Sequence, residues 1–64
     1  MKKTQYDVIY LNGNEEVFYC NGVLDCFSAA THYAYSKAWD VRIKSITDEY
    51  GNKYTAFELT YRTN

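Results

Sequence analysis

A mismatch between one helix and two strands constrains this chain more than any other feature. Only one stretch repeats apolar residues at helical spacing, through Val23, Cys26, Phe27, Ala30, Tyr33, Ala34 and Ala38. The two strand-like runs before it are apolar on both faces. From Thr4 to Leu11, Tyr6, Val8 and Tyr10 line one side while Ile9 and Leu11 line the other. From about Glu16 to Cys20, Val17 and Tyr19 stand against Phe18 and Cys20. A single helix covers only one face of a sheet. Whichever set meets the helix, the other leaves aromatic or aliphatic side chains bare, and a contiguous patch of that kind marks an interface.

The remaining elements follow from local chemistry. Asn12, Gly13 and Asn14 separate the first two runs and supply the positive φ of a tight hairpin. Asn21 and Gly22 end the second run and can cap a helix over Val23 to Ala38, whose first turn holds Asp25 to complement the helix dipole. Asp40 is expected to start a third strand, in which Val41 and Ile43 alternate with Arg42 and Lys44. Asp48 to Asn52 make a polar turn into a fourth strand, expected from about Lys53 to Tyr61 with Phe57, Leu59 and Tyr61 on one face. No proline interrupts any strand. The fold class is therefore α+β, in the order ββαββ, with one helix packed on one face of a small, mainly antiparallel sheet. Residues 1–64 form a single domain.

At 64 residues, folding buries only roughly 60% of the surface that the unfolded chain exposes, so most apolar groups are committed to the core. Little is left to wall a small-molecule pocket of roughly 300 Å³ or more. Aromatic residues make up 19% of the chain, and eight of them are Tyr, a residue that buries a ring while its hydroxyl seeks water or a partner. Seven basic and eight acidic side chains leave a formal charge of −1, which provides no general electrostatic hold on nucleic acid or on an anionic membrane. Two cysteines are too few for a disulfide scaffold, the first residues lack a continuous apolar stretch, and no span is long enough to cross a bilayer. A cytoplasmic protein with reduced thiols is the expectation.

No group of side chains reads as catalytic. Cys26 falls in the first turn of the expected helix, where the dipole can lower a thiol pKa, but the nearest candidate base, His32, lies six residues and about 9 Å further along the helix. Cys20 and Cys26 match no zinc or redox spacing and read as structural thiols. Glu15 with Glu16, and Asp48 with Glu49, fall at turn tips, where pKa values are not driven apart. Gly13, Gly22 and Gly51 are separate turn residues and form no phosphate loop. Neither a cofactor nor a metal is implied. A nucleic-acid reading rests on Arg42, Lys44, Lys53 and Arg62 around Tyr54, since rings interleaved with cations on an open sheet can stack bases. The near-neutral charge and Glu58 on the same expected strand weigh against it.

The stretch from Tyr19 through Cys20, Asn21, Gly22, Val23, Leu24, Asp25, Cys26, Phe27, Ser28 and Ala29 to Ala30, leading to Trp39, Asp40, Val41, Arg42 and Ile43, resembles the strand, helix and strand core of small bacteriophage early proteins. The resemblance covers about residues 17–46 and carries no functional residue across. It implies a stoichiometric binder made in a bacterial cell, as phage proteins inhibit host RNA polymerase, nucleases or defence systems, some anti-CRISPR proteins among them. The leading expectation is thus a phage or prophage accessory protein that binds a host protein through Tyr6, Tyr10, Tyr19 and Tyr54. A nucleic-acid-binding domain using Arg42, Lys44 and Tyr54 is the alternative. A homodimer that closes the exposed face is a third reading.

Overall fold

The computed structural model describes residues 2–63, with side chains through residue 60. Its elements are β1 (Thr4–Tyr10), β2 (Glu15–Cys20), α1 (Val23–Ser36), β3 (Ile43–Asp48), β4 (Lys53–Thr55) and α2 (Ala56–Thr63). The strands form one four-stranded sheet in the order β2-β1-β3-β4, with every neighbouring pair antiparallel. The α+β class and the ββαββ order stand as read.

Both hairpins close the same way. Tyr10 donates its backbone N–H to the Asn14 carbonyl at 2.8 Å, and Gly13 donates to the Tyr10 carbonyl at 3.0 Å. In the second hairpin, Asp48 donates to the Asn52 carbonyl at 2.9 Å and Gly51 to the Asp48 carbonyl at 3.1 Å. Each loop therefore holds three residues and ends on a glycine in the left-handed region, Gly13 at φ 92° and Gly51 at φ 90°. This loop length sets the register of β1 on β2, which pairs Tyr6 with Phe18, Val8 with Glu16 and Thr4 with Cys20.

That register places Tyr6, Val8, Tyr10, Cys20, Ile43 and Ile46 beneath α1, which contributes Cys26, Ala30 and Ala34. The small residues on the inner face of the helix let its backbone lie close to the sheet. Tyr10 is 1% exposed, and its hydroxyl donates to the Ala30 carbonyl at 2.8 Å. Its ring starts an edge-to-face chain through Trp39, Tyr33 and Phe18, with successive centroids 5.4, 5.7 and 5.6 Å apart.

Three element boundaries differ from expectation, each for a local reason. The helix stops at Ser36 and not at Ala38, because Ala38 adopts a left-handed φ of 59°. Trp39 then donates its N–H to the Ala34 carbonyl at 3.0 Å and Ala38 donates to Tyr35 at 3.1 Å, the two bonds of a Schellman closure. This reversal swings Trp39 back onto Tyr10. The third strand begins at Ile43 and not at Asp40, since the Asp40 carboxylate folds onto the Arg42 backbone N–H at 3.0 Å and holds a turn. Lys44 is an extra residue on β3, because Ile9 pairs with Ser45 while Tyr10 pairs with Ile43.

The third difference is the largest. The expected long last strand ends at Thr55, and α2 follows. Thr55 Oγ1 accepts the Glu58 N–H at 3.2 Å, so Thr55 caps the helix with Glu58 at the third helical position. Leu59 is then fully buried while Phe57 is 82% exposed, so the shared strand face expected for them does not exist. The side chains of Tyr61 and Arg62 lie outside the described residues.

A non-glycine residue in the left-handed region costs about 1–2 kcal/mol, part of which glycine returns through its own entropy. Ala38→Gly is expected to stabilise the fold by about 0.5–1 kcal/mol, raising the urea midpoint at unchanged m-value. Tyr10→Phe removes the buried bond to Ala30 and is expected to lower stability by about 1 kcal/mol in the same titration.

Candidate functional site

The sheet face opposite α1 is the region that the helices leave uncovered. Strand alternation places Gln5, Asp7 and Ile9 of β1 on this face, beside Tyr19, Val17 and Glu15 of β2, their respective register partners. Thr47 and Ser45 of β3, with Lys53 and Thr55 of β4, continue it on the other side. Its apolar part is a strip on β1 and β2, in which Tyr19 is 62% exposed, Val17 is 50% exposed and Ile9 is half-buried. The Tyr19 hydroxyl lies 3.5 Å from the Gln5 side-chain oxygen. The rest of the face is polar.

Of the four tyrosines expected to meet a partner, the structure places one on this face. Tyr6 and Tyr10 are buried beneath α1, and Tyr54 is half-buried against the same core, opposite Ile46. Only Tyr19 stands on the bare side. The separation follows from register: the three-residue loop gives partners of equal parity, so odd-numbered Tyr19 opposes Gln5 while Tyr6 opposes Phe18. Ile9 and Val17 join Tyr19 there. Their alternation was visible in the sequence, but which set would meet the helix was not.

The alternative basic and aromatic group does not assemble. Tyr54 points to the helix side. Arg42 precedes β3, and its guanidinium is held by both oxygens of Asp40, which keeps the Asp40 carboxyl down to about 2. Lys44 sits exposed at the β3 bulge, and Lys53 lies on the bare face opposite Thr47.

Polar groups on the bare face carry their own strain. The Glu15 carboxyl is raised above its ordinary value because it hydrogen-bonds to Asp7 on the neighbouring strand and shares its negative surroundings. Asp7 Oδ1 and Ser45 Oγ are sealed from solvent without a hydrogen-bond partner among the described residues. Nowhere among those residues do three or more His, Cys, Asp or Glu side chains group as metal ligands would.

The thiols are not activated. Cys26, fully buried, is pushed up to about 12 by burial, with Cys20 beside it adding to the shift. Cys20 is also raised, again by burial first. Desolvation raises the thiol even though Cys26 lies in the first turn of α1, consistent with its reading as a structural thiol. His32 stands exposed on α1. No described helix is long and apolar enough to cross a membrane.

Compared with known proteins, the chain matches no family model, no curated protein and no solved structure.

Two measurements check this electrostatic picture. A disulfide reagent at mildly alkaline pH is expected to leave both thiols unlabelled in the native state and to label both in denaturant; fast native labelling of Cys26 would contradict its burial. For Glu15, the folded state favours the protonated form. Its contribution to stability is therefore present below the ordinary Glu value and lost as pH rises through the raised one. Glu15→Gln is expected to melt with the wild type in acid and above it near neutral pH.

Proposed function

We propose that this chain is a small phage or prophage accessory protein that binds and inhibits a host protein by surface contact in the bacterial cytoplasm. A defence complex such as a CRISPR effector, a nuclease or RNA polymerase is the class of target. One observation carries the reading: Tyr19 and Val17 stand exposed beside Ile9 on a sheet face that neither helix covers. Tyrosine supplies a large rigid ring and a hydroxyl at low entropic cost, and is enriched at interface hot spots.

The size of the chain supports the same reading. A standard interface takes about 800 Å² from each partner, roughly a fifth of the 4399 Å² that this chain exposes. Tyr6 and Tyr10 serve the contact indirectly, by fixing the strands whose other side carries Tyr19.

Capture from bacterial lysate on immobilised wild-type protein, compared with Tyr19→Ala, tests the proposal. Loss of a hot-spot ring is expected to cost about 2 kcal/mol, a weakening of roughly 30-fold, while Tyr35→Ala on the exposed side of α1 leaves capture unchanged. Equal recovery of the same partners by wild type and Tyr19→Ala would sink the face assignment.

A further inference from the structure

In an antiparallel ladder, directly opposed residues alternate between pairs that exchange both backbone hydrogen bonds and pairs that exchange none. Tyr10 and Asn14 close the first hairpin as a bonded pair at 2.8 Å. Counting from there, Val8 with Glu16, Tyr6 with Phe18 and Thr4 with Cys20 are bonded pairs, and Ile9 with Glu15, Asp7 with Val17 and Gln5 with Tyr19 are not. The backbone N–H and C=O groups of Glu15, Val17 and Tyr19 therefore point away from β1, toward the outer edge of the sheet. Among the described residues, β2 has no strand on that side, and β1 and α1 are the elements it touches. No turn, loop or cap bond among the described residues uses the backbone of these three.

The two edges of the sheet differ. β4 is three residues long and runs straight into α2, which packs on β3 and β4. β2 is six residues long, keeps a regular register, and carries neither a proline nor a bulge; its only charges are Glu15 and Glu16 at its first two positions.

We propose that β2 pairs antiparallel with β2 of a second copy of this chain, joining the two four-stranded sheets into one across a two-fold axis. The side chains of β2 suit that occupant. Pleats stay in phase only when bare-face residues oppose bare-face residues. The register that engages all three outward residues sets Val17 opposite its own copy on the axis, Glu15 opposite Tyr19, and Glu16 opposite Phe18. No carboxylate then faces a carboxylate, whereas parallel pairing in register would stack Glu15 and Glu16 on their copies. A formal charge of −1 per chain adds little repulsion. The join also brings the two apolar strips together on one continuous face.

Sedimentation velocity and amide exchange over rising protein concentration test the pairing. The expected result is a monomer–dimer equilibrium in which the amides of Glu15, Val17 and Tyr19 gain protection with concentration, while those of Glu16, Phe18 and Cys20 are protected throughout. Val17→Pro removes an outward N–H and leaves the β1 ladder intact, and is expected to weaken dimerisation about tenfold or more. Should that variant misfold, Val17→Lys sets two like charges opposite on the axis and is expected to do the same. Wild type that stays monomeric at millimolar concentration overturns the proposal, as does a dimer that survives Val17→Lys or that protects amides elsewhere. Protection of the three amides only upon addition of a foreign extended peptide also overturns it, in favour of strand donation by another protein. Capture and dimerisation are read separately: wild type that captures host proteins but stays monomeric overturns this pairing alone, and wild type that dimerises but captures no host protein overturns the partner-binding reading alone.

Discussion

The rest of the structure depends on the three-residue loop that closes β1 onto β2. Gly13 takes the left-handed backbone that lets its N–H and that of Tyr10 both close the turn. A loop of this length pairs residues of equal parity, and every side-chain assignment in the first hairpin follows. Had Asn12 and Gly13 formed a two-residue turn, Leu11 would oppose Asn14, Tyr6 would oppose Tyr19, and Phe18 would leave the helix side. One residue of loop thus decides which aromatic rings build the core and which face water.

Given that register, the core is organised around Tyr10. Its ring sits fully buried, its hydroxyl is satisfied by a helix carbonyl, and Trp39 packs edge-on against it. Trp39 can reach because the chain reverses at Ala38 in a conformation that alanine disfavours. The helix therefore ends where the aromatic contact requires it to end, and the local strain is offset by burial of the indole against Tyr10 and Tyr33. The loss of two residues from the helix and the packing of Trp39 against the core are a single event.

How much of this was legible in the sequence depends on the range of the interaction. The first hairpin, the start of α1 at Val23 and the inner helix residues Cys26, Ala30 and Ala34 could be read, because they rest on turn chemistry and apolar period. So could the conclusion that one face of β1 and β2 must stay bare. The assignment of Tyr6 and Tyr10 to that face could not hold, since it treated the tyrosines as one set when loop length divides them. The extension of the last strand missed a local signal: Thr55 followed three residues later by Glu58 is a helix start, and it outweighs the alternation of Phe57 and Leu59.

Several costs fall on the bare face, although the three most exposed large apolar side chains among the described residues, Phe57, Tyr50 and Tyr35, lie elsewhere. Val17 and Tyr19 expose apolar surface there, the Glu15 carboxyl sits against Asp7, and the buried Ser45 hydroxyl lacks a partner among the described residues. An unsatisfied buried hydroxyl costs about 1–3 kcal/mol, a large share of the margin available to a domain of this size. Polar residues at positions 17 and 19 would leave the helix-side core untouched, because alternation points them away from it. The same face ends at β2, so its strip of Tyr19, Val17 and Ile9 and the outward backbone of Glu15, Val17 and Tyr19 meet at a single edge. A contact on the face and a pairing along the edge, as proposed above, would therefore be physically adjacent.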